Sequence, residues 1–194
     1  MKIYLVRHGE TEWNALHKRQ GRTDIPLNDN GIHQANELHE KIKDFNFDIC
    51  YCSPLSRAKQ TAEIVIDGKC KIIFDDLLLE RDAGQCEGTD GSQDLGATDD
   101  AWDFKLNASY GGMETIRDLL ARAKTMLLKI IKSNPDDSQI IVVAHNGILR
   151  AIHWSIVGYD ENTVFRNHKI GNGDFREYSF KKETLSEDLS RRLV

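Results

Sequence analysis

Two histidines in this chain end apolar runs and are followed within two residues by glycine: Ile3-Tyr4-Leu5-Val6-Arg7-His8-Gly9 and Val142-Val143-Ala144-His145-Asn146-Gly147. An imidazole so placed can attack phosphorus and form a covalent intermediate. The permanently cationic Arg7 beside it can grip phosphoryl oxygens, and a glycine lets backbone approach closely. Further along stand Arg57, just after Ser53-Pro54, and Glu80, just after Leu77-Leu78-Leu79, with Asn14 and Gln20 as neutral donors. Two guanidinium groups would balance the charge of a phosphate monoester. One neutral histidine could attack, and a second, if protonated, would stabilise developing negative charge. The carboxyl of Glu80 could protonate the leaving oxygen and then deprotonate water. Its surroundings would therefore have to favour the protonated form at the first step. The scheme needs no metal. Taken alone, Arg7-His8 reads equally well as a polar strand end, so the elements that carry these residues decide the matter.

Ile3 to Val6 is β-prone and stops at a charged pair, which predicts a buried strand with its functional residues beyond the carboxyl end. The polar stretch after Asn14 has no period. Asn28-Asp29-Asn30-Gly31 signals a helix start, and Ile32, Ala35, Leu38 and Ile42 carry helical spacing through Phe45. His33 and His39 are placed on its solvated face. Phe47 to Cys52 predicts a second strand. Ser53 is then read as an N-cap and Pro54 as the first helical residue, with Arg57 in the first turn of a helix reaching Val65. Lys71 to Phe74 predicts a third strand. Gly84 to Gly112 is the least regular part, taken as a wall or lid, with one short turn at Ala101 to Leu106. Met113 to Ser133 is the strongest helix, Gln139 to Ala144 a strand buried on both faces, and a helix is expected from Ile148. Phe175 to Phe180 alternates as a last strand. A single domain over residues 1–194 is expected, with 181–194 a surface helix or frayed tail.

Composition narrows the function classes. With 40% hydrophobic and 29% charged residues, the chain is neither disordered nor membrane-like. A formal net charge of -5 argues against general nucleic-acid or anionic-membrane binding, although a local arginine cluster can still invert the field in one cleft. No apolar run is long enough to span a bilayer and no signal-peptide pattern is present, so the simplest location is cytoplasmic. Cys50, Cys52, Cys70 and Cys86 lack metal-site spacing and read as reduced, small hydrophobes. Gly171-Asn172-Gly173 lacks the third glycine of a dinucleotide loop. Asp99, Asp100 and Asp103 read as solvated loop residues.

These motifs resemble the histidine phosphatase superfamily, in the branch of cofactor-dependent phosphoglycerate mutases and small phosphatases. The resemblance rests on Leu5-Val6-Arg7-His8-Gly9-Glu10-Thr11 with Trp13-Asn14, on Gln20-Gly21 with Asp24, and on Ser53-Pro54-Leu55 with Arg57-Ala58. It continues through Leu79-Glu80 with Gly84 and Glu87-Gly88 to Ala144-His145-Asn146-Gly147 with Arg150. It implies a three-layer α/β/α sandwich whose sheet is mostly parallel with one antiparallel strand. By resemblance His8 becomes phosphohistidine, Arg7, Arg57 and His145 form the phosphate pocket, and Glu80 is the proton donor. Asn14, Gln20, Gly21 and the backbone at Asn146 would contact phosphoryl oxygens or substrate. Cys86 and Asn146 depart from residues common in the family, an aromatic and a glycine, and both bear on substrate fit.

The leading expectation is a metal-independent phosphomonoesterase for a small phosphorylated metabolite, without a cofactor and as a monomer or homodimer. A phosphoglycerate mutase is the nearest alternative, disfavoured because only Gly84 to Tyr110 fills the place of a longer insertion. A non-catalytic module that binds a phosphorylated ligand is the second. Specificity is assigned to residues 84–112 with Arg22, Trp13 and Trp102, where Arg22 either reaches a second anionic group or is merely solvated.

Overall fold

The structure is a computed structural model that describes residues 1–90 and 99–191. Burial alternates in function but not in degree along β1 (Lys2–Arg7), where Ile3 to Val6 are all at most 3% exposed. Ile3 and Leu5 belong to one hydrophobic cluster, Tyr4 and Val6 to another. That is the two-residue period of a strand covered on both faces. β1 pairs in parallel with β4 (Gln139–Ala144) and antiparallel with β5 (Phe175–Ser179). β2 (Ile49–Cys52) and β3 (Lys71–Phe74) extend the sheet beyond β4, giving the order β3-β2-β4-β1-β5. The expected mostly parallel sheet with one antiparallel strand is therefore what forms.

Helices cover both faces. α2 (Asp29–Ile42) and α3 (Ser56–Ile66) pack on the cluster of Tyr4, Val6, Ile141 and Val143. On the other side lie α4 (Ile116–Ser133), α5 (Asn146–Val157) and α6 (Lys182–Arg191). A one-turn helix, α1 (Glu12–Ala15), interrupts the first polar loop where no helix was expected; a reciprocal cap between Thr11 and Asn14 holds it. α2 starts where the sequence suggests, with Asn28 accepting from the Gly31 N–H at 2.8 Å. His33 is exposed, whereas His39 is half-buried and bonds the Val65 carbonyl through Nδ1 at 3.1 Å, tying α2 to α3. A Cβ at Gly9 would lie 2.3 Å from the Gly31 carbonyl oxygen, so this glycine pair sets how closely the β1 exit meets α2.

α3 begins two residues later than the Ser53-Pro54 reading predicts, and its N-cap position, Leu55, supplies no side-chain bond. Asp24 from the preceding loop substitutes, accepting from the Ser56 N–H at 2.8 Å and from its hydroxyl at 2.7 Å. Ser53 Oγ meets His145 Nε2 at 2.8 Å and accepts from the Leu55 N–H at 3.4 Å, ahead of the helix. α5 starts at Asn146 rather than Ile148. The four cysteines are free thiols, with Cys50 and Cys52 buried in β2 and their pKa values raised by that burial. Single-turn helices at Gly84–Cys86 and Asp100–Trp102 punctuate the irregular segment. The part of that segment spanning 91–98 lies outside the described residues.

Residues 182–191 are helical, and Leu185 and Leu189 are 3% and 1% exposed against the larger cluster. Such burial makes α6 part of the core rather than a frayed end. Leu189→Ala is expected to destabilise the fold by about 2–4 kcal/mol in urea unfolding. A loss below about 0.5 kcal/mol would mean that α6 contributes nothing to the cooperative core.

Candidate active site

The register of β1 against β4 pairs Arg7 with Ala144, so the next residues, His8 and His145, leave the sheet side by side. Their ring centroids are 5.0 Å apart, and the His8 N–H donates to the Ala144 carbonyl at 3.1 Å. The two imidazoles hold opposite tautomers, each fixed by a neighbour. His8 Nδ1 lies 2.6 Å from the Gly9 carbonyl, which makes it the protonated nitrogen and leaves the lone pair on Nε2. His145 Nδ1 accepts from Arg57 Nε at 3.1 Å, so its proton sits on Nε2 and is donated to Ser53 Oγ. Burial first, then the charges of Arg57 and Arg7, hold His8 well below the ordinary imidazole range. His145 is pushed the same way by burial and by Arg57. Both rings are neutral here. A protonated second histidine would add positive charge, and in the free site the nitrogen that would take that proton accepts from Arg57 Nε.

Arg57 is fully buried, and beyond His145 it donates to the Thr23 carbonyl at 2.9 Å and the Gly21 carbonyl at 2.8 Å. Gly21 therefore meets Arg57 through its oxygen, and Arg57 braces His145 while adding charge to the floor. Arg7 donates through Nη1 to the Ile170 carbonyl at 3.0 Å, but its Nε is buried with no partner among the described residues. Burial pulls the Arg7 pKa down to about 10 against the opposing pull of Glu80, so the group remains cationic at neutral pH. A buried, unanswered N–H beside desolvated positive charge suits an anion.

Glu80 meets the start of α5. Its Oε1 accepts from Arg81 N at 2.8 Å and Ile148 N at 3.1 Å, and its Oε2 from Gly147 N at 3.1 Å. A Cβ on Gly147 would stand 2.5 Å from Glu80 Oε1, so only glycine admits the carboxylate there. His145, at the N-cap position, gives α5 no side-chain cap, and Glu80 takes that role from outside. All three contacts come from backbone N–H donors, and Oε2 accepts only one of them. Glu80 is in turn held from behind. Arg122 grips Glu114 through two bonds at 2.9 and 2.8 Å, and also donates to the carbonyls of Leu77 and Leu79.

Above this floor opens a cleft of about 730 Å³ lined by Arg7, Asn14, Gln20, Gly21, Glu80 and Asn146 among others. His8, Arg57 and His145 lie beneath it, at most 3% exposed. Gln20 Oε1 and Asn146 Oδ1 are buried and have no partner among the described residues. Asn14 Oδ1 accepts from Asn172 Nδ2 at 3.1 Å, and the same amide nitrogen reaches the His8 and Gly9 carbonyls at 3.1 and 3.2 Å. Asn172 is a site residue that sequence reasoning missed. Its Gly-Asn-Gly setting was weighed only as a dinucleotide loop. Of the irregular segment 84–112, Trp102 lines the cleft. Arg22 donates to the Glu80 carbonyl and pairs with Asp82 at 3.6 Å and Glu114 at 3.8 Å.

Among the described residues no helix is long and apolar enough to cross a membrane. The uncharacterized phosphatase PhoE of Bacillus subtilis (strain 168) is 37% identical over 194 residues, covering 97% of this chain and 96% of its own. The probable phosphoglycerate mutase GpmB of Enterobacter sp. (strain 638) is 33% identical, over 91% and 86% of the two chains. Among solved structures, a mutant phosphoserine phosphatase from Entamoeba histolytica bound to phosphoserine superposes with a TM-score of 0.81 at 32% identity, over 93% and 91% of the chains. The phosphatase from the same organism bound to 3-phosphoglyceric acid gives 0.78 at 32%, over 92% and 90%. A profile described as Histidine phosphatase superfamily (branch 1) matches residues 3–189, and the chain belongs to that family.

Proposed function

We propose that this protein is a metal-independent phosphatase that hydrolyses a small phosphomonoester through a phosphohistidine at His8. The observation that carries the reading is the His8 tautomer. With Nδ1–H held by the Gly9 carbonyl, the Nε2 lone pair is available, and the low pKa keeps it so. Nε2 forms the N–P bond as the ester O–P bond breaks, and the leaving oxygen takes a proton from Glu80. Water then attacks phosphorus and gives its proton to Glu80. The N–P bond breaks and inorganic phosphate leaves.

Arg7 meets the phosphoryl oxygens with its unanswered Nε–H, while Arg57 and His145 act from the floor. Burial, and after it positive charge, depresses both histidines; a bound dianion offsets the charge, so His145 gains basicity when the phosphoryl group arrives. Asn14, Gln20, Gly21 and Asn146 border the space that the ester would fill. The names of the relatives support both a phosphatase and a mutase. The limited chain between Gly84 and Tyr110 favours the phosphatase, since little of it is available to enclose a bound bisphosphate.

Hydrolysis of an aryl phosphate in excess chelator tests the reading. Wild type is expected to turn over undiminished, and His8→Ala to lose on the order of a thousandfold or more in kcat. Activity abolished by the chelator, or retained by His8→Ala, would contradict it. Supplied with 3-phosphoglycerate, the protein should release inorganic phosphate; isomerisation without release would make it the mutase.

The histidine pKa values set a pH dependence with a defined sign. A depressed imidazole stays neutral until pH falls through its lowered value, so the imidazole's own contribution is lost only on the acid side. After correction for the ester's own ionisation, kcat/KM is expected to show no imidazole limb above the ordinary value of 6.5. An acid limb centred at or above that value would mean that His8 is protonated in the resting enzyme.

A further inference from the structure

The pairing of β1 with β5 ends at Val6 opposite Phe175, just before the site residues begin. The turn ahead of β5 continues the tie. The Asp174 carbonyl accepts from the Arg7 N–H at 3.1 Å, and the Gly173 N–H is shared between the carbonyls of Arg7 and His8, each at 3.2 Å. Asn172 extends the tie with its side chain, whose Nδ2 lies 3.1 Å from the His8 carbonyl oxygen and 3.2 Å from that of Gly9. The turn itself is anchored. A Cβ at Gly173, where φ is +64°, would stand 2.7 Å from Gln34 Cβ, so glycine lets the turn lie against α2. Ahead of the turn, the Tyr178 hydroxyl joins His168 Nε2 at 3.0 Å to His153 Nδ1 at 2.8 Å.

What Asn172 holds matters more than how many bonds it makes. The Gly9 carbonyl that it meets is the one that accepts from His8 Nδ1 at 2.6 Å. The same amide nitrogen lies 3.1 Å from Asn14 Oδ1, which also takes the Thr11 N–H at 3.3 Å. With donors on that oxygen, the Asn14 carboxamide is fixed in one orientation, and its NH2 is the end it offers to the cleft. An amide NH2 has two hydrogens, which the oxygens of His8, Gly9 and Asn14 share. Aspartate has the same shape and would set an acceptor against those acceptors.

We infer that Asn172 is a positioning residue for phosphoryl transfer, holding the tautomer of His8 through the Gly9 carbonyl and the orientation of the Asn14 carboxamide. This deepens the phosphohistidine reading above and rests on it for the role of His8. The bond to the Gly9 carbonyl holds that peptide plane so that its oxygen keeps facing the Nδ1–H. If the plane turns away, nothing keeps the proton on Nδ1, and a ring protonated on Nε2 has no lone pair to turn toward phosphorus. The bond to Asn14 keeps a donor, rather than a carbonyl oxygen, toward the phosphoryl oxygens. One side chain thus sets the nucleophile and a neutral donor together, and it acts through both.

The test joins a rate with a spectrum. Rapid mixing with an aryl phosphate reads the rate at which the enzyme is phosphorylated, and Asn172→Ala and Asn172→Asp should each slow it by about tenfold to a hundredfold. Nitrogen-15 spectra of the free, histidine-labelled proteins at about pH 8, above the ordinary imidazole range, read the tautomer, with His8→Ala assigning the ring. Wild type should show His8 as the Nδ1–H form, and both variants should gain the Nε2–H form. The loss from Asn172→Ala should shrink when Asn14→Ala is already present, because the two residues share a bond. Asn172→Asp keeps the shape and removes the donors, so it decides the matter if the smaller variant fails to fold. A folded variant phosphorylated within about twofold of the wild-type rate would overturn the inference. So would a slowed variant whose His8 ring stays wholly in the Nδ1–H form, or losses at Asn14 and Asn172 that simply multiply.

The two readouts separate this inference from the reading beneath it. Phosphorylation of wild type and Asn172→Ala at equal rates would remove the positioning role and leave the phosphatase. A wild type that is never phosphorylated would remove the phosphatase, and the spectra would still decide whether Asn172 holds the His8 tautomer.

Discussion

The parallel pairing of β1 with β4 brings together residues separated by most of the chain, and the chemistry at this site depends on its register. Arg7 opposite Ala144 puts His8 and His145 at adjacent strand ends with their rings 5.0 Å apart. A slip of one residue would turn Arg7 and His8 toward the opposite faces and move the Tyr4 and Val6 set out of its cluster. Near-complete burial of β1 on both faces makes such a slip expensive, so the hydrophobic pattern of the strand is also what aligns the site.

Around that register the fold gathers positive charge without gathering enough negative charge to match it. Arg7, Arg57 and Arg150 are all desolvated, and Glu80 is the acid whose field each of them shares. Burial of unmatched charge opposes folding, so these groups are held by contacts that lie outside the site. The Ile170 carbonyl takes Arg7, the carbonyls of Thr23 and Gly21 take Arg57, and Trp102 carries Arg150. The result is a cleft arranged for an anion before one arrives. That is the preorganisation by which electrostatic catalysis works.

Much of this was legible in the sequence because strands buried on both faces and motif residues at their ends leave strong local signals. The central strands, the long α4 helix and the grouping of His8, His145, Arg7 and Glu80 follow from those signals. What stayed hidden depends on distant partners. Ser53 looks like a helix cap by its neighbours, yet His145 claims its hydroxyl and Asp24 caps α3 instead. Arg22 looks like a free loop arginine until Asp82 and Glu114 close on it. Asn172 shows only a turn-forming Gly-Asn-Gly, and nothing local says that the turn folds back onto His8. The Arg122–Glu114 pair that anchors the segment before Glu80 is likewise invisible to any short window.

The central claim is that His8 carries the phosphoryl group, and rapid acid-free quenching during turnover of an aryl phosphate tests it directly. Intact-mass and peptide analysis of the quenched enzyme should find one acid-labile phosphoryl group on the peptide that contains His8, present with substrate and absent without it. Turnover that proceeds with no such adduct, or with the label on another residue, would contradict the account.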